Sequence, residues 1–444
     1  MKKVIVINKK IKFFKKKSIN VEGDKSLSIR FILLSSLSKG KCIASNLLRS
    51  GDVNSAINSM KKLGIKIKVK NDYCEVNGKG LFGLKFKKNL VLDSENSGTT
   101  ARLILAMLSY SNHWVKVIGD KSLKKRDMGR VIKPLKLFGL KFKNNNTKLP
   151  LWIKGPKILK SIRYNENLGS AQCKSAMMIA ALRANGKTKL KCLPSRNHTE
   201  LMFKNVLKIP IKLKKENGFE IIEVEGMNEF NKFNYKIPGD ISSASFFIVL
   251  TLLSKKNDLM IKNINVNPSR IGIIKILNMM GAKIRILKKK NYKGEPTANI
   301  FIQSNRNLRG INLNSKLNSS AIDEFLLIFL VAGVCKGIST FKNLSELNKK
   351  ESKRLDWGIK ILKMMNIKTK RIKNNGVKIW GNPNLKLNKS YVIKNFLKDH
   401  RIFMVSTIAA LTLGGKWKIN DANCFKTSFP KYLDILNSLG AKYK

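Results

Sequence analysis

A short signature recurs six times along the 444-residue chain, and no other feature constrains its fold as tightly. Two or three mostly apolar residues precede a glycine or a stand-in, followed by one residue and a lysine. The six copies are KKLGIK at Gly64, KLFGLK at Gly139, LKIPIK at Pro210, NMMGAK at Gly281, KMMNIK at Asn366 and NSLGAK at Gly440. Successive copies lie 71 to 85 residues apart, and six units averaging 74 residues account for the whole chain. Self-similarity at a fixed period means one supersecondary unit built repeatedly.

A second feature keeps step with the first. Each signature follows, by 39 to 43 residues, a polar cluster that leads into an apolar run: GDKS at Lys25, ENSGTT at Asn96, GSAQ at Ser170, PGDISS at Asp240, IDE at Asp323 and DHR at Asp399. Ser, Asp or Asn before an apolar run marks a helix start, and the glycine-type signature marks the end of a second helix. Alternating segments such as 65–70 (IKIKVK) and 282–287 (AKIRIL) then read as strands. Each unit is therefore expected to hold strands and two helices, giving an α/β fold. A chain this long exceeds one compact core, so two domains of three units are expected, with the polar stretch 212–236 as the boundary.

Composition excludes several classes. No apolar run reaches the roughly 18 residues of a membrane span. The basic start of the chain has too short an apolar core for a signal peptide and reads as a strand. Six scattered cysteines without CxxC spacing favour a reducing cytoplasm, and three histidines without HExxH spacing give no metal motif. The formal net charge of +62 invites a nucleic-acid reading. The lysines, however, are spread evenly through all six units without interleaved aromatic stacking residues, which reads as a compositional shift on solvated surface.

Arginine is more selective. Of 89 basic residues only 15 are arginine, and Arg30, Arg102, Arg126, Arg196, Arg354 and Arg401 lie in or just after polar clusters. A guanidinium fork binds carboxylate or phosphate bidentately, so these positions point to anion recognition. Ser26 and Arg30 at one helix start are four apart and share a face, with Lys25 beside them and free backbone N–H groups at the helix end. Asn96 to Arg102 repeats the arrangement, with Gly98 permitting close approach. Lys350, Glu351 and Arg354 are expected on one helix, near acids at Asp323–Glu324 and Asp399, which suits proton transfer beside an anion. Six such helix starts brought to one cleft would trap small polyanions.

With these motifs in order, GDKSLSIR (23–30), NSGTTARL (96–103), SAQCKSAMMIAAL (170–182), SRNHTELM (195–202), PGDISSASFF (238–247), AIDEF (321–325), ELNKKESKRL (346–355) and DHRIFM (399–404), the chain resembles the 5-enolpyruvylshikimate-3-phosphate synthase family over essentially its full length. The resemblance implies a two-domain inverse α/β barrel of six βαβαββ units. It places an N-terminal domain at 23–237, a C-terminal domain at 1–22 plus 238–444, and hinges near 20–23 and 237–239. It implies transfer of the enolpyruvyl group of phosphoenolpyruvate to the 5-hydroxyl of shikimate 3-phosphate, with no metal or organic cofactor, no specific nucleic acid and no membrane, in a cytoplasmic monomer. Roles carry over by position. Lys25, Ser26, Arg30, Ser170, Gln172, Ser195, Arg196, Asp323 and Lys350 match the shikimate 3-phosphate site. Lys25, Asn96, Gly98, Arg126, Gln172, Arg354 and Arg401 match the phosphoenolpyruvate site. Asp323, Glu351, Lys25 and Lys350 match the catalytic groups, with Asp323 a candidate for taking the hydroxyl proton and Glu351 for protonating the methylene carbon.

The chain departs from the family pattern in places. Glu22 stands for a proline, Asp127 for a proline, Glu95 for a glycine, Leu326 for a proline, Asn348 for an arginine and Lys353 for an aspartate, while a family lysine meets Thr427 with Lys426 one position early. These changes predict a weak or marginally stable enzyme. The related UDP-N-acetylglucosamine enolpyruvyl transferases carry a loop cysteine that segment 119–130 lacks. The resemblance further implies inhibition by glyphosate at the phosphoenolpyruvate site, weakened by a methyl group at Gly98.

Overall fold

The computed structural model describes residues 4–143, 145–305, 307–373 and 375–444. Among these residues the strands form six sheets of three or four strands, one for each repeat. In the second repeat the order is strand Val91–Asp93, helix Gly98–Met107, strand Val115–Ile118, helix Gly129–Leu137, and strands Lys141–Phe142 and Leu151–Lys154, which is βαβαββ. Its first two strands are parallel and the others add antiparallel. The first and third sheets repeat that pattern. In the fourth, Lys17–Asn20 lies parallel to Asp258–Asn265, and in the sixth the parallel pair Leu387–Ile393 and Gly414–Ile419 is joined by Ile5–Ile7. The start of the chain is thus strand, as its alternation predicts. In the fifth sheet the parallel partner is reduced to the bridges Arg309↔Lys336 and Asn312↔Thr340.

Contacts divide the chain into two compact units, Gly23–Ile237 with Tyr292–Glu295, and Met1–Glu22 with Pro238–Asn291 and Pro296–Lys444. The stretch 212–236, expected to hold the boundary, ends at the division after Ile237 and is itself structured: Ile211–Glu216 and Phe219–Glu225 pair as a hairpin because Ile222 and Val224 have a core to face. Residues 292–295 belong with the N-terminal unit, since the Tyr292 hydroxyl accepts from the Lys236 N–H and Glu295 pairs with His198 at 2.6 Å.

Each unit has its own apolar core. At its centre run the helices that follow the polar clusters: Lys25–Leu37, Gly98–Met107 and Ala171–Ala181 in one unit, Ile241–Leu253, Phe325–Ala332 and His400–Leu413 in the other. They are apolar nearly all round, which suits full burial. Asp24, Ser97, Ser170, Asp240 and Asp399 cap five of the six through their side chains. The fifth repeat breaks the rule. Asp323 lies in a turn between helices Asn318–Ala321 and Phe325–Ala332, with its carboxylate committed elsewhere.

The six signatures turn out to be helix stops. Gly64 has φ 85° and Asn366 φ 58°, with Gly139, Gly281 and Gly440 likewise left-handed. Around Gly64 the Ile65 N–H reaches back to the Met60 carbonyl and the Gly64 N–H to Lys61, a Schellman closure that satisfies the final carbonyls. Proline cannot adopt positive φ. In the third repeat, where Pro210 holds the glycine position, the left-handed residue is Lys208 at φ 56°, and the preceding helix is a wider π-turn over Met202–Val206.

Candidate active site

The N-terminal unit gathers cations at helix starts. Lys25 Nζ lies 2.8 Å from Asp52 Oδ2, at the start of helix Gly51–Lys62, and the Asp52 carbonyl accepts from Thr100 Oγ1 at 3.1 Å. Arg30 is 2% exposed. Its Nη1 donates to Ser26 Oγ at 2.5 Å, Nε to Thr199 Oγ1 at 2.8 Å and Nη2 to Ser175 Oγ at 2.8 Å. Arg102 Nη1 donates to Gln172 Oε1 at 2.7 Å, and Gln172 Nε2 to Thr99 Oγ1 at 2.8 Å. Arg126 Nη2 donates to Asn96 Oδ1 at 3.0 Å, and Asn96 Nδ2 to Asp120 at 2.6 Å. A Cβ on Gly98 would stand 2.9 Å from Arg126 Nη1 and 3.0 Å from Arg102 Nη1, so glycine lets two guanidinium groups flank a helix start.

Ser170 caps the helix that carries Gln172. Among the described residues the buried Ser195 hydroxyl meets no hydrogen-bond partner, and Ser195 and Arg196 lead through Asn197 into the turn whose Thr199 holds Arg30. Chain geometry therefore gathers Lys25, Ser26 and Arg30 into one cluster and Asn96, Gly98, Arg126 and Gln172 into another.

The C-terminal unit builds its cluster on acids. Lys350 Nζ is 3.1 Å from Asp323 Oδ1. Arg354 Nε donates to Asp399 Oδ2 at 2.9 Å, Nη1 reaches Asp323 Oδ1 at 3.4 Å, and Nη2 pairs with Glu351. Burial alone would lower the Arg354 pKa, but Asp399, Glu351 and Asp323 together push it above its ordinary value. Burial likewise opposes ionisation of Asp399, and Arg354 outweighs it, leaving that carboxyl below its usual range. Arg401 Nη1 donates to the Asp323 carbonyl at 2.6 Å and approaches Glu324 at 3.5 Å, while Ser352 Oγ donates to Asp399 Oδ2 at 2.8 Å.

One expectation fails here. Lys350, Glu351 and Arg354 do not share a helix: a 3₁₀ turn covers Ser345–Lys349, Lys350 is extended, and the helix runs Arg354–Met364. Lys353 holds the cap position with no side chain able to accept, and Asn348 supplies the acceptor for the Leu355 N–H at 3.0 Å. Asn348 and Lys353, read separately as departures, are thus coupled. Thr427, standing where the family has lysine, donates to the Cys424 carbonyl at 2.8 Å. Residue-level reading missed Asp52, Thr199 and Ser175, which hold Lys25 and Arg30. Their one signal is that Ser175 and Thr199 lie inside motifs already singled out.

Among the described residues no group of three or more His, Cys, Asp or Glu could hold a metal ion, and no helix is long and apolar enough to cross a membrane. Each of the two compact α/β units gathers arginines at or near the starts of helices, an arrangement chemically suited to small anions. The sequence profile of EPSP synthase (3-phosphoshikimate 1-carboxyvinyltransferase) matches residues 14–436. A 3-phosphoshikimate 1-carboxyvinyltransferase of Ruthia magnifica is 39% identical over 424 residues, covering 95% of both chains. One from Caldicellulosiruptor bescii is also 39% identical, over 95% of this chain and 96% of its own. The solved EPSP synthase of Acinetobacter baumannii superposes with a TM-score of 0.85 at 31% identity, covering 100% of this chain and 99% of its own. The enolpyruvyl transferase NikO of Streptomyces tendae shares the fold, at a TM-score of 0.76 and 11% identity. The chain belongs to the EPSP synthase family.

Proposed function

We propose that this chain transfers the enolpyruvyl group of phosphoenolpyruvate to the 5-hydroxyl of shikimate 3-phosphate, releasing phosphate. The observation that carries the reading is that the family's motifs fall on the two clusters: cations at Lys25, Arg30 and Arg126, oriented by Asp52, by hydroxyls and by Asn96 respectively, and acids interlocked with Lys350, Arg354 and Arg401. The reaction draws on both. Protonation of the methylene carbon makes a methyl group beside a cation-like centre, the substrate hydroxyl adds to that centre as it loses its proton, and the tetrahedral intermediate then gives up a methyl proton to a carboxylate as it expels phosphate, which re-forms the enol double bond.

In this reading Asp323 takes the hydroxyl proton and Glu351 protonates carbon. Lys25, Ser26, Arg30, Ser170, Gln172, Ser195, Arg196 and Lys350 hold shikimate 3-phosphate. Lys25, Asn96, Gly98, Arg126, Gln172, Arg354 and Arg401 hold phosphoenolpyruvate. The Arg354 fork is shared between Glu351 and Asp399, so a substrate carboxylate competes with Glu351 for it and binding reorganises the acid as well as the anion. Two anions held beside their reacting groups make orientation and charge stabilisation the dominant rate terms. The same reading makes the chain a cytoplasmic monomer, with closure at 20–23 and 237–239, and a target of glyphosate.

Phosphate release from the two substrates tests the proposal, with Glu351→Gln and Lys25→Met as controls. Release that depends on both substrates and collapses in both variants is expected. Absence of release from the wild-type chain, or undiminished release in the variants, would overturn it.

A further inference from the structure

Beneath the Arg30 cluster lies a buried cation that the reaction does not touch. Lys174 is fully buried inside helix Ala171–Ala181, where a charged side chain is costly unless paired. Its Nζ lies 2.5 Å from Glu200 Oε1 and 2.6 Å from Glu220 Oε2. Burial pulls its pKa down, and the two carboxylates more than reverse the effect.

The neighbours give this pair its meaning. Ser175 follows Lys174 on the helix, and Thr199 precedes Glu200 on the short turn His198–Leu201. Ser175 Oγ and Thr199 Oγ1 lie 2.7 Å apart, and these two hydroxyls receive Arg30 Nη2 and Nε. The helix and the turn are therefore joined by two adjacent rungs, an ion pair from Lys174 to Glu200 and a hydroxyl pair from Ser175 to Thr199. The second rung is the seat of the Arg30 fork. On the far side His198 Nδ1 meets Glu295 Oε1 at 2.6 Å, so three successive residues of the turn are each held by a buried polar partner.

We propose that Lys174 is a positioning residue for shikimate 3-phosphate: its ion pair with Glu200 sets the spacing of Ser175 and Thr199, and through them the aim of Arg30. This inference rests on the proposed reaction. The helical turn continues into the π-turn Met202–Val206, whose wider winding differs from a regular helix, so these buried side-chain partners fix where Thr199 sits against Ser175, and an ångström of displacement at a substrate-orienting fork costs up to about 100-fold.

The test measures KM for each substrate by phosphate release and shikimate 3-phosphate affinity by calorimetry, in wild type, Lys174→Met and Glu200→Gln. Lys174→Met leaves Glu200 and Glu220 without their cation and risks failure to fold. Glu200→Gln leaves Lys174 one carboxylate, a balanced pair that folds and keeps a weaker neutral hydrogen bond. We expect KM and dissociation constant for shikimate 3-phosphate to rise about tenfold in Lys174→Met and about threefold in Glu200→Gln, with KM for phosphoenolpyruvate within twofold of wild type. Unchanged shikimate 3-phosphate affinity in Glu200→Gln, or an equal rise for both substrates, would overturn the inference. A wild-type chain that binds neither substrate and releases no phosphate would instead remove the reaction on which it stands.

Discussion

The contacts that orient the site arginines differ in kind between the two units. In the N-terminal unit hydroxyls, side-chain amides and carbonyls take part in orienting Arg30, Arg102 and Arg126. In the C-terminal unit Arg354 is fixed by Asp399, Glu351 and Asp323, and Arg401 lies beside Glu324. Hydroxyl and amide contacts orient a guanidinium without neutralising it, so they aim its charge at an incoming anion. A guanidinium already paired with carboxylates must exchange a partner to accept a substrate, and that exchange alters the acid it leaves. The first arrangement suits preorganised binding and the second suits chemistry coupled to binding. Lys25, 2.8 Å from Asp52, is the member of the N-terminal set that follows the second pattern.

The comparison predicts a kinetic split. Glu351→Gln removes a proton donor and should lower kcat by about 10²- to 10⁴-fold while moving either KM less than threefold. Arg126→Ala removes a fork oriented by Asn96 and should raise KM for phosphoenolpyruvate about 10- to 100-fold with a smaller change in kcat. Steady-state kinetics on the two variants decide the matter. Equal losses in kcat from both would erase the distinction between the units.

Repeat count, α/β class and helix stops were legible in the sequence because each has a local cause. A left-handed residue after an apolar turn must be glycine or asparagine unless the turn itself is rebuilt, as it is at Lys208. Caps were legible where a single Ser or Asp does one job, as at Asp24 and Ser170. Legibility ended where a side chain has two possible uses. Asp323 looks like a cap and instead pairs with Lys350 and Arg354. Asn348 looks like an arbitrary departure and caps a helix that Lys353 cannot. Thr199, Ser175 and Asp52 act through contacts 24 to 169 residues distant in sequence, and no local pattern encodes those pairings. Glu95, in a family glycine position, sits at φ 48°, and its carboxyl is pushed up by burial and by Asp93, Asp52 and Asp120.

Gly98→Ala sharpens the comparison from within the N-terminal set. The added methyl would crowd Arg126 and Arg102 at their flexible ends, so both forks can yield by a few tenths of an ångström. KM for phosphoenolpyruvate should rise about three- to tenfold, and inhibition by glyphosate, proposed for the same site, should weaken by more, because the longer competitor meets the added methyl that the smaller substrate clears. Inhibition that tracks KM one for one would show that both ligands meet the forks alike.

The smallest effect concerns a carboxylate held chiefly by a backbone N–H rather than by a guanidinium. Glu22 Oε2 accepts from the Lys431 N–H at 2.8 Å, at the start of helix Tyr432–Ser438. Burial pushes its pKa up, and the Lys431 backbone bond and charge offset only part of that. A folded-state pKa above the unfolded value means the folded state binds the proton more tightly. The ionised carboxylate therefore lowers stability at neutral pH, and the loss disappears as pH falls through the raised pKa toward the ordinary value of 4.5. Glu22→Gln keeps an acceptor for Lys431 and removes the charge. Its melting temperature should exceed wild type by about 1–3 °C at pH 7 and converge with it near pH 4. A variant less stable at pH 7 would mean that the charge at the helix start outweighs its burial, which would extend to the C-terminal unit's periphery the rule that its carboxylates are held by fields strong enough to overcome burial, as at Asp399.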